Sequence, residues 1–340
     1  MGLYPSIMLS LLLLAPLSAA TAADISEQPE FLKGDVGLVY AFQGTNYGLS
    51  ESAESVGTVT SQAHQMGLRA EFGVAPGTSA FLHLSGSPST RIGYEDPRTM
   101  GWNPKEDEGS LLNGLPIEEG LDPYSGGGFE GVWLGVRGTP FAQDRGARAT
   151  WLIEGAIRTP DGSNLYTRDG SGDGSTALRL SNVFATSRGG SHPYIAATYT
   201  STRPYSTEEM EEEEVFDPSN SIDMVSGIEF DVWQDLSTGR HISLEGRVFF
   251  GYNSPATIPS GLFLPSVLPG TENDPVTSAE YSEFGVGFGA HWKPIAEMKV
   301  DFSLDLGWPT PHRIESSYPV YSAFNSRSIA AGLSISYLYR

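Results

Sequence analysis

The feature that most constrains this chain is an alternation of apolar and polar residues, with a period of two, repeated along most of its length. In His241–Tyr252, Ile242, Leu244, Val248, Phe250 and Tyr252 share one side, and Ser243, Glu245 and Arg247 share the other. Lys299–Trp308 sets Val300, Phe302, Leu304, Leu306 and Trp308 against Lys299, Asp301, Ser303 and Asp305. Gln65–Val74 sets Met66, Leu68, Ala70, Phe72 and Val74 against Gln65, Arg69 and Glu71. Successive side chains of a strand point to opposite faces of its sheet, so each segment predicts a strand with one apolar and one polar face.

About twelve such segments can be marked, near residues 35–46, 62–74, 79–93, 128–139, 147–159, 176–188, 193–204, 221–233, 241–253, 281–293, 298–309 and 327–340. The connections alternate in length. Short ones fall at 75–78, 140–146, 189–192, 234–240 and 294–297, and long ones at 47–61, 94–127, 160–175, 205–220, 254–280 and 310–326. A secreted β-sandwich or β-solenoid would share the alternation and the glycine content. It would not predict an even strand count, long loops at one end only, or a last strand that runs into the C-terminus. A transmembrane antiparallel β-barrel predicts all three, with short periplasmic turns and long extracellular loops.

Charge follows the same division. Segments 47–61, 95–127, 160–175, 205–220 and 254–280 carry −2, −6, −2, −7 and −3, and 310–326 is neutral, which places nearly all of the net −21 in the long connections. Strands and short turns are left almost neutral, as lipid exposure of a charge at mid-membrane would cost a few kcal/mol. The acidic balance also argues against nucleic acid as a partner, because phosphate binding needs clustered Lys and Arg. There is no cysteine, hence no disulfide scaffold and no thiolate metal site. Glycine at 40 residues, aromatics at 11% and charged residues at only 18% suit an all-β chain.

At the N-terminus, Ile7–Leu17 is apolar apart from Ser10 and Pro16, and small residues follow over Ser18–Ala23. This run is too short to span a bilayer as a helix and reads as a secretory signal, with cleavage expected after Ala22 in Ala20-Thr21-Ala22. Residues 1–22 lack the usual Lys or Arg, and no cysteine follows the apolar run, which excludes the lipoprotein route. The expected organisation is a signal peptide over 1–22, a short periplasmic segment over 23–34 and a barrel over 35–340. After residue 22 no apolar stretch is long enough for a helical span.

The last segment, Ser328–Arg340, places Ile329, Ala331, Leu333, Ile335, Tyr337 and Tyr339 on one alternating face. It resembles the closing strand of bacterial outer-membrane β-barrel proteins, the porin- and transporter-like superfamily, whose terminal aromatic is read by the barrel-insertion machinery. Here Arg340 stands at the end and Tyr339 is penultimate. The resemblance implies outer-membrane lipid and lipopolysaccharide as surroundings and the insertion machinery as a partner during biogenesis. Fold alone does not imply function.

Some twelve-stranded barrels of this kind are phospholipases or lipid A deacylases. His83–Ser85 and His241–Ser243 have the spacing that puts a histidine and a serine on one face, but neither has a local asparagine. A nucleophile also needs an oriented base, so enzyme activity is not expected. Asp169, Ser171 and Asp173, followed by Gly174, match the first half of a calcium loop, yet Leu180 stands where its bidentate acid belongs. A plain Gly/Ser/Asp loop accounts for them, with calcium in an extracellular loop as the alternative. No other cofactor is implied.

Glu208, Glu209, Glu211, Glu212, Glu213 and Glu214 form the strongest charge run. Such blocks are usually solvated; they could also form a mouth that attracts cations, or be bridged by divalent ions to lipopolysaccharide. Two connections contain unusually apolar stretches, Ile258–Gly270 and Leu111–Ile117. These either cap the barrel or offer an entry patch to apolar molecules. The predicted inward face carries Arg69, Glu71, His83, Arg137, Glu154, Arg158, Arg179, Asp223, Glu229, Asp231, Glu245, Arg247, His291, Asp301 and Asp305. These either plug the barrel with salt bridges or line a wet path. Twelve strands lie between the eight that side chains can fill and the sixteen that leave a channel, so any pore is narrow. The expectation is a narrow porin or small-molecule transporter for small solutes with an acidic extracellular mouth. The alternatives are a plugged structural or surface-interaction barrel and a transporter of hydrophobic compounds.

Overall fold

The alternating segments fold as antiparallel strands of one closed sheet in the computed structural model, which describes residues 30–51, 54–95, 124–159, 175–206, 215–258, 276–315 and 320–339. Twelve strands among these residues make the ring. They are β1 (Gly34–Glu51), β2 (Glu54–Ala75), β3 (Thr78–Glu95), β4 (Tyr124–Phe141), β5 (Thr150–Thr159), β6 (Ala177–Ala185) and β7 (Ser191–Thr202). The remainder are β8 (Ser221–Asp235), β9 (Arg240–Asn253), β10 (Tyr281–Ile295), β11 (Met298–Pro309) and β12 (Val320–Tyr339). Each strand pairs with its sequence neighbours, and β1 pairs with β12 from Gly34↔Tyr339 to Glu51↔Tyr321. That last pairing removes both edges of the sheet, so every strand finds its backbone partners within the wall.

The two faces are inverted relative to a water-soluble protein. Outward side chains are large and apolar: Leu38 is 65% exposed, Val248 57%, Phe288 57% and Leu244 51%. Inward ones are polar and buried, with Ser243 at 0%, Glu229 at 3% and Glu245 at 4%. Only a hydrocarbon solvent makes that outer surface stable. Aromatic residues gather at the short-turn end of the belt. Trp151 stacks between Phe141 and Phe184 with centroid separations of 6.1 and 5.4 Å, and Trp233, Trp292, Tyr337 and Tyr339 are also outward. Rings with a polar tip settle at the lipid headgroup level, which marks this as a membrane boundary.

The short connections are tight. β2 and β3 are joined by Pro76-Gly77 alone, and Gly77 has φ +68°, a conformation that glycine adopts without strain. Between β4 and β5 a single 3-10 turn, Gln143–Arg145, is tied to the next turn by the Ser187 N–H donating to Gln143 Oε1 at 2.7 Å.

The long connections differ from expectation. Residues 47–51 and 54–61 continue β1 and β2, and residues 320–326 belong to β12. Thus 47–61 is mostly a hairpin rather than a loop. In 310–326, His312–Glu315 pairs with β12, and Val276–Ser278 and Ala256–Ile258 pair in turn beyond it. Tyr205–Ser206 pairs with Val215–Phe216. Within 47–61, Gly48, Ser50, Ser55, Gly57, Thr58 and Thr60 take the place of the large apolar residues that reveal a strand by sequence. Residues 1–29, including the expected signal peptide, lie outside the described residues. Of the expected periplasmic segment, residues 30–33 lie beside β2, where the Leu32 N–H donates to Gly73 O and the Gly73 N–H to Lys33 O.

Candidate functional site

The interior is built as rows of residues at one height, read across neighbouring strands from their register. Starting at the short-turn end, one row is Asp231–Ser243–His291–Asp301 and the next is Glu229–Glu245–Gly289. Above them come Gly227–Arg247–Gly287–Asp305, then Val225–Phe249–Gly285, then Asp223–Gly251–Glu283. Long side chains and glycines alternate in these rows, and the reason is steric. The Tyr194 ring lies over Gly227, 2.6 Å from where a Cβ would stand, and Arg247 and Asp305 lie over Gly287. Phe249 covers Gly285, Glu245 covers Gly289, and on the opposite wall Phe81 covers Gly135. Each long side chain therefore runs along the wall over a glycine on a nearby strand.

Two charge networks result. On β2 to β6, Arg137 bridges Glu71 (3.3 Å) and Glu154 (2.7 Å), Arg179 reaches Glu154 (2.9 Å), and Arg69 reaches Glu71 (2.6 Å). Arg158 donates to Ser175 Oγ at 2.9 Å, and both Arg158 and Arg179 lie over the Trp133 ring. His83 leans over Gly67 beside them. On β7 to β12, Arg247 makes a two-pronged pair with Asp305 at 2.9 and 2.7 Å, which matches the fork of a guanidinium to a carboxylate. Glu245 accepts from the Tyr194 hydroxyl and contacts Arg247 (3.5 Å) and His291 (3.2 Å). His291 also meets Asp301 (2.7 Å), which Lys299 approaches at 3.2 Å. His192 and His241 converge on one oxygen of Asp231, at 3.0 and 2.8 Å. Ser243 donates to Glu229, so His241 and Ser243 each have other partners.

The two walls carry opposite balances. Among the described inward side chains, β2 to β6 set Arg69, Arg137, Arg158 and Arg179 against Glu71 and Glu154. β8 to β11 set Asp223, Glu229, Asp231, Glu245, Glu283, Asp301 and Asp305 against Arg247, Lys293 and Lys299. Strand closure places β5 across the ring from β11, so the basic wall faces the acidic one.

Two cavities lie at different heights. The lower has a volume of about 340 Å³ at the short-turn end, with His192, Glu229, Asp231, His241, His291 and Lys299 among its lining. The upper, about 50 Å³, is bordered by Asp223, Phe249, Glu283, Arg247, Asp305 and Gln43. Glu245 stands between them, because His291 lines the lower cavity, Arg247 lines the upper, and Glu245 contacts both. Above the upper cavity His312 stacks on Tyr281 at 4.6 Å, and its Nδ1 sits 3.1 Å from Thr310 O. Burial pushes the His312 pKa down, which favours its neutral ring.

Several of these residues escape a search of the sequence for inward charges. Tyr194, Phe249 and Trp133 look like lipid-facing residues until their register puts them inside, although parity with Tyr281 and Gly285 would have found Glu283. Asp169, Ser171, Asp173, the run Glu208–Glu214 and the apolar stretch 111–117 lie outside the described residues, as does 259–270.

No family model matches the chain, and no curated protein matches it. Solved structures do resemble it. An outer-membrane channel of Pseudomonas putida F1 aligns over 91% of this chain and 96% of its own, with 9% identity and a TM-score of 0.50. A FadL homologue of Pseudomonas aeruginosa aligns over 99% and 98%, with 9% identity and a TM-score of 0.44. The translocator domain of the autotransporter NalP from Neisseria meningitidis aligns over 89% and 88%, with 8% identity and a TM-score of 0.42. At such identities the likeness speaks to fold alone. With its closed twelve-strand ring, apolar outer belt and polar interior, this chain has the fold of a transmembrane antiparallel β-barrel, which it shares with outer-membrane proteins of known structure.

Proposed function

We propose that the barrel is a narrow passive channel for small solutes, favouring cations and neutral molecules over anions. The observation that carries this reading is the ladder of carboxylates up one wall. Asp231, Glu229, Glu245, Asp305, Glu283 and Asp223 follow one another from the short-turn end upward, the first two bordering the lower cavity and the last three the upper. A cation moving along the barrel would always have a carboxylate within reach. The acidic long connections would raise cation concentration at the outer mouth. Lipopolysaccharide around those loops, and delivery by the barrel-insertion machinery, belong to the same reading.

The test is single-channel recording in planar bilayers. Fields from the mouth are screened over about 10 Å at 0.1 M salt and about 30 Å at 0.01 M. Cation preference should therefore strengthen as salt is lowered. Replacing Glu208, Glu209 and Glu211 to Glu214 with Gln should weaken that preference while leaving conductance at high salt nearly unchanged. Anion selectivity would mean that the arginine wall dominates. No conductance from folded, inserted protein would replace the channel by a plugged interaction barrel.

A further inference from the structure

We propose that the lower cavity is a binding subsite for a small zwitterion, an ammonium and a carboxylate joined by a short polar chain, with Glu229 holding the ammonium end and Lys293 and Lys299 the carboxylate end. The inference deepens the channel reading, on which it rests for the route of the solute, by naming a net-neutral solute class; its test is separate from that reading.

Glu229 is 3% exposed and borders the cavity. Ser243 Oγ donates to its Oε1, and among the described residues no ion pair and no other hydrogen bond reaches this carboxylate. Its neighbours in the sheet are engaged elsewhere. In the register of β8, Glu229 stands opposite His192 on β7 and Glu245 on β9. His192 gives its Nε2 to Asp231 at 3.0 Å, while Glu245 takes Arg247 and His291. Like charges directly opposite one another repel, and a buried carboxylate without a cation is costly unless a ligand completes it.

The other acids lining the cavity make the contrast. Asp231 receives both His192 and His241 on one oxygen. Asp235 has one oxygen on Ser237 and the other on Thr238, within its own turn. Glu229 is therefore the lining carboxylate with acceptor capacity to spare. A metal ion is a poor match for it, because among the described residues no three His, Cys, Asp or Glu side chains are placed to hold one, and hard ions want several oxygen ligands. An ammonium group brings its own donors and needs only such an acceptor.

The cavity supplies the opposite charge at a different height. Lys293 and Lys299 both line it. Lys299 is 7% exposed, and Asp301, which it approaches at 3.2 Å, is shared with His291 at 2.7 Å. Lys293 pairs in register with His241, two inward rows nearer the short turns than the row of Glu229 and Glu245. Four residues along β9 separate those rows by about 13 Å, and the reach of the Glu and Lys side chains shortens the gap to roughly the length of a dipeptide. The volume of about 340 Å³ falls at the lower end of the range of about 300–1,000 Å³ usual for small-molecule sites. A molecule with one charge of each sign at its ends satisfies both walls and adds no net charge to the interior.

The test uses the full-length barrel, purified in detergent and checked for folding by heat-modifiable migration. Equilibrium binding of glycylglycine, ethylammonium and acetate is measured by calorimetry or ligand-observed NMR. Glycylglycine should bind at least tenfold more tightly than either singly charged probe. Glu229→Gln should lose at least tenfold in glycylglycine affinity, and Asp223→Asn, in the upper cavity, should leave it unchanged. Lys293→Gln should also weaken glycylglycine severalfold, and it serves if Glu229→Gln does not fold. Ethylammonium binding as tightly as glycylglycine, or unchanged affinity in a folded Glu229→Gln or Lys293→Gln barrel, would overturn the subsite. Binding without conductance would refute the channel and keep the subsite; conductance without binding would do the reverse.

Discussion

Glu154 is 5% exposed and holds two guanidinium groups, Arg137 at 2.7 Å and Arg179 at 2.9 Å. Taking these charges out of water costs several kcal/mol per ion, which only close pairing and further hydrogen bonds offset. Arg137 has a second carboxylate in Glu71, whereas Glu154 is the carboxylate that Arg179 pairs with, the rest of its guanidinium resting on Trp133. Glu154→Ala should therefore destabilise the barrel by roughly 3 kcal/mol or more, the usual cost of stranding a buried charge. Denaturant unfolding of the reconstituted barrel measures this. Glu154→Gln should cost less, because its amide oxygen can still accept from one arginine. A loss below ~1 kcal/mol for the alanine variant, the size found for exposed pairs, would mean that water reaches this network freely.

At the scale of the strand, β12 differs from its neighbours in having to complete the ring. Its outward residues Ile329, Leu333, Ile335, Tyr337 and Tyr339 are 40–66% exposed to the lipid side, and its backbone pairs along β1 from end to end. Backbone pairing does not distinguish Tyr339 from its neighbours, but its outward ring at the membrane boundary does. If the two tyrosines supply the aromatic signal for insertion, Tyr339→Ala should reduce the heat-modifiable barrel recovered in outer-membrane fractions severalfold. Deleting Arg340 should leave it unchanged. Normal assembly of Tyr339→Ala, with failure on loss of Arg340, would assign the signal to the terminal residue instead.

For the whole molecule, the even ring of antiparallel strands puts both ends of the barrel wall on the side of the short turns, since β1 begins and β12 ends beside them. The aromatic belt marks that side as one membrane boundary. In the orientation usual for such barrels it is periplasmic. Epitope tags near Asp107 and Glu212 should then be labelled on intact cells, and a tag at Ser237 only after permeabilisation. Labelling at Ser237 on intact cells would invert the topology. Closure also has an electrostatic consequence. Arginine-rich strands come early in the chain and acid-rich strands late, so the ring sets one wall against the other and directs a field across the interior.

What the sequence determined by itself was the sheet and its two faces. Alternation with a period of two is a local property, and it marked each of the twelve strands because every membrane-spanning strand must turn apolar groups to lipid. It failed at the ends of β1, β2 and β12, in 47–61 and 320–326; in the first of these Gly48, Ser50, Gly57, Thr58 and Thr60 interrupt the apolar alternation. Only the tertiary structure decided which inward groups meet. Whether Tyr194 reaches Glu245 across β8, or Asp223 and Glu283 come to stand on either side of Gly251, depends on the registers of successive strands taken together. The apolar pattern and the turns fix register, but which inward side chains then meet depends on several strands at once, and the sequence of any one strand does not show it.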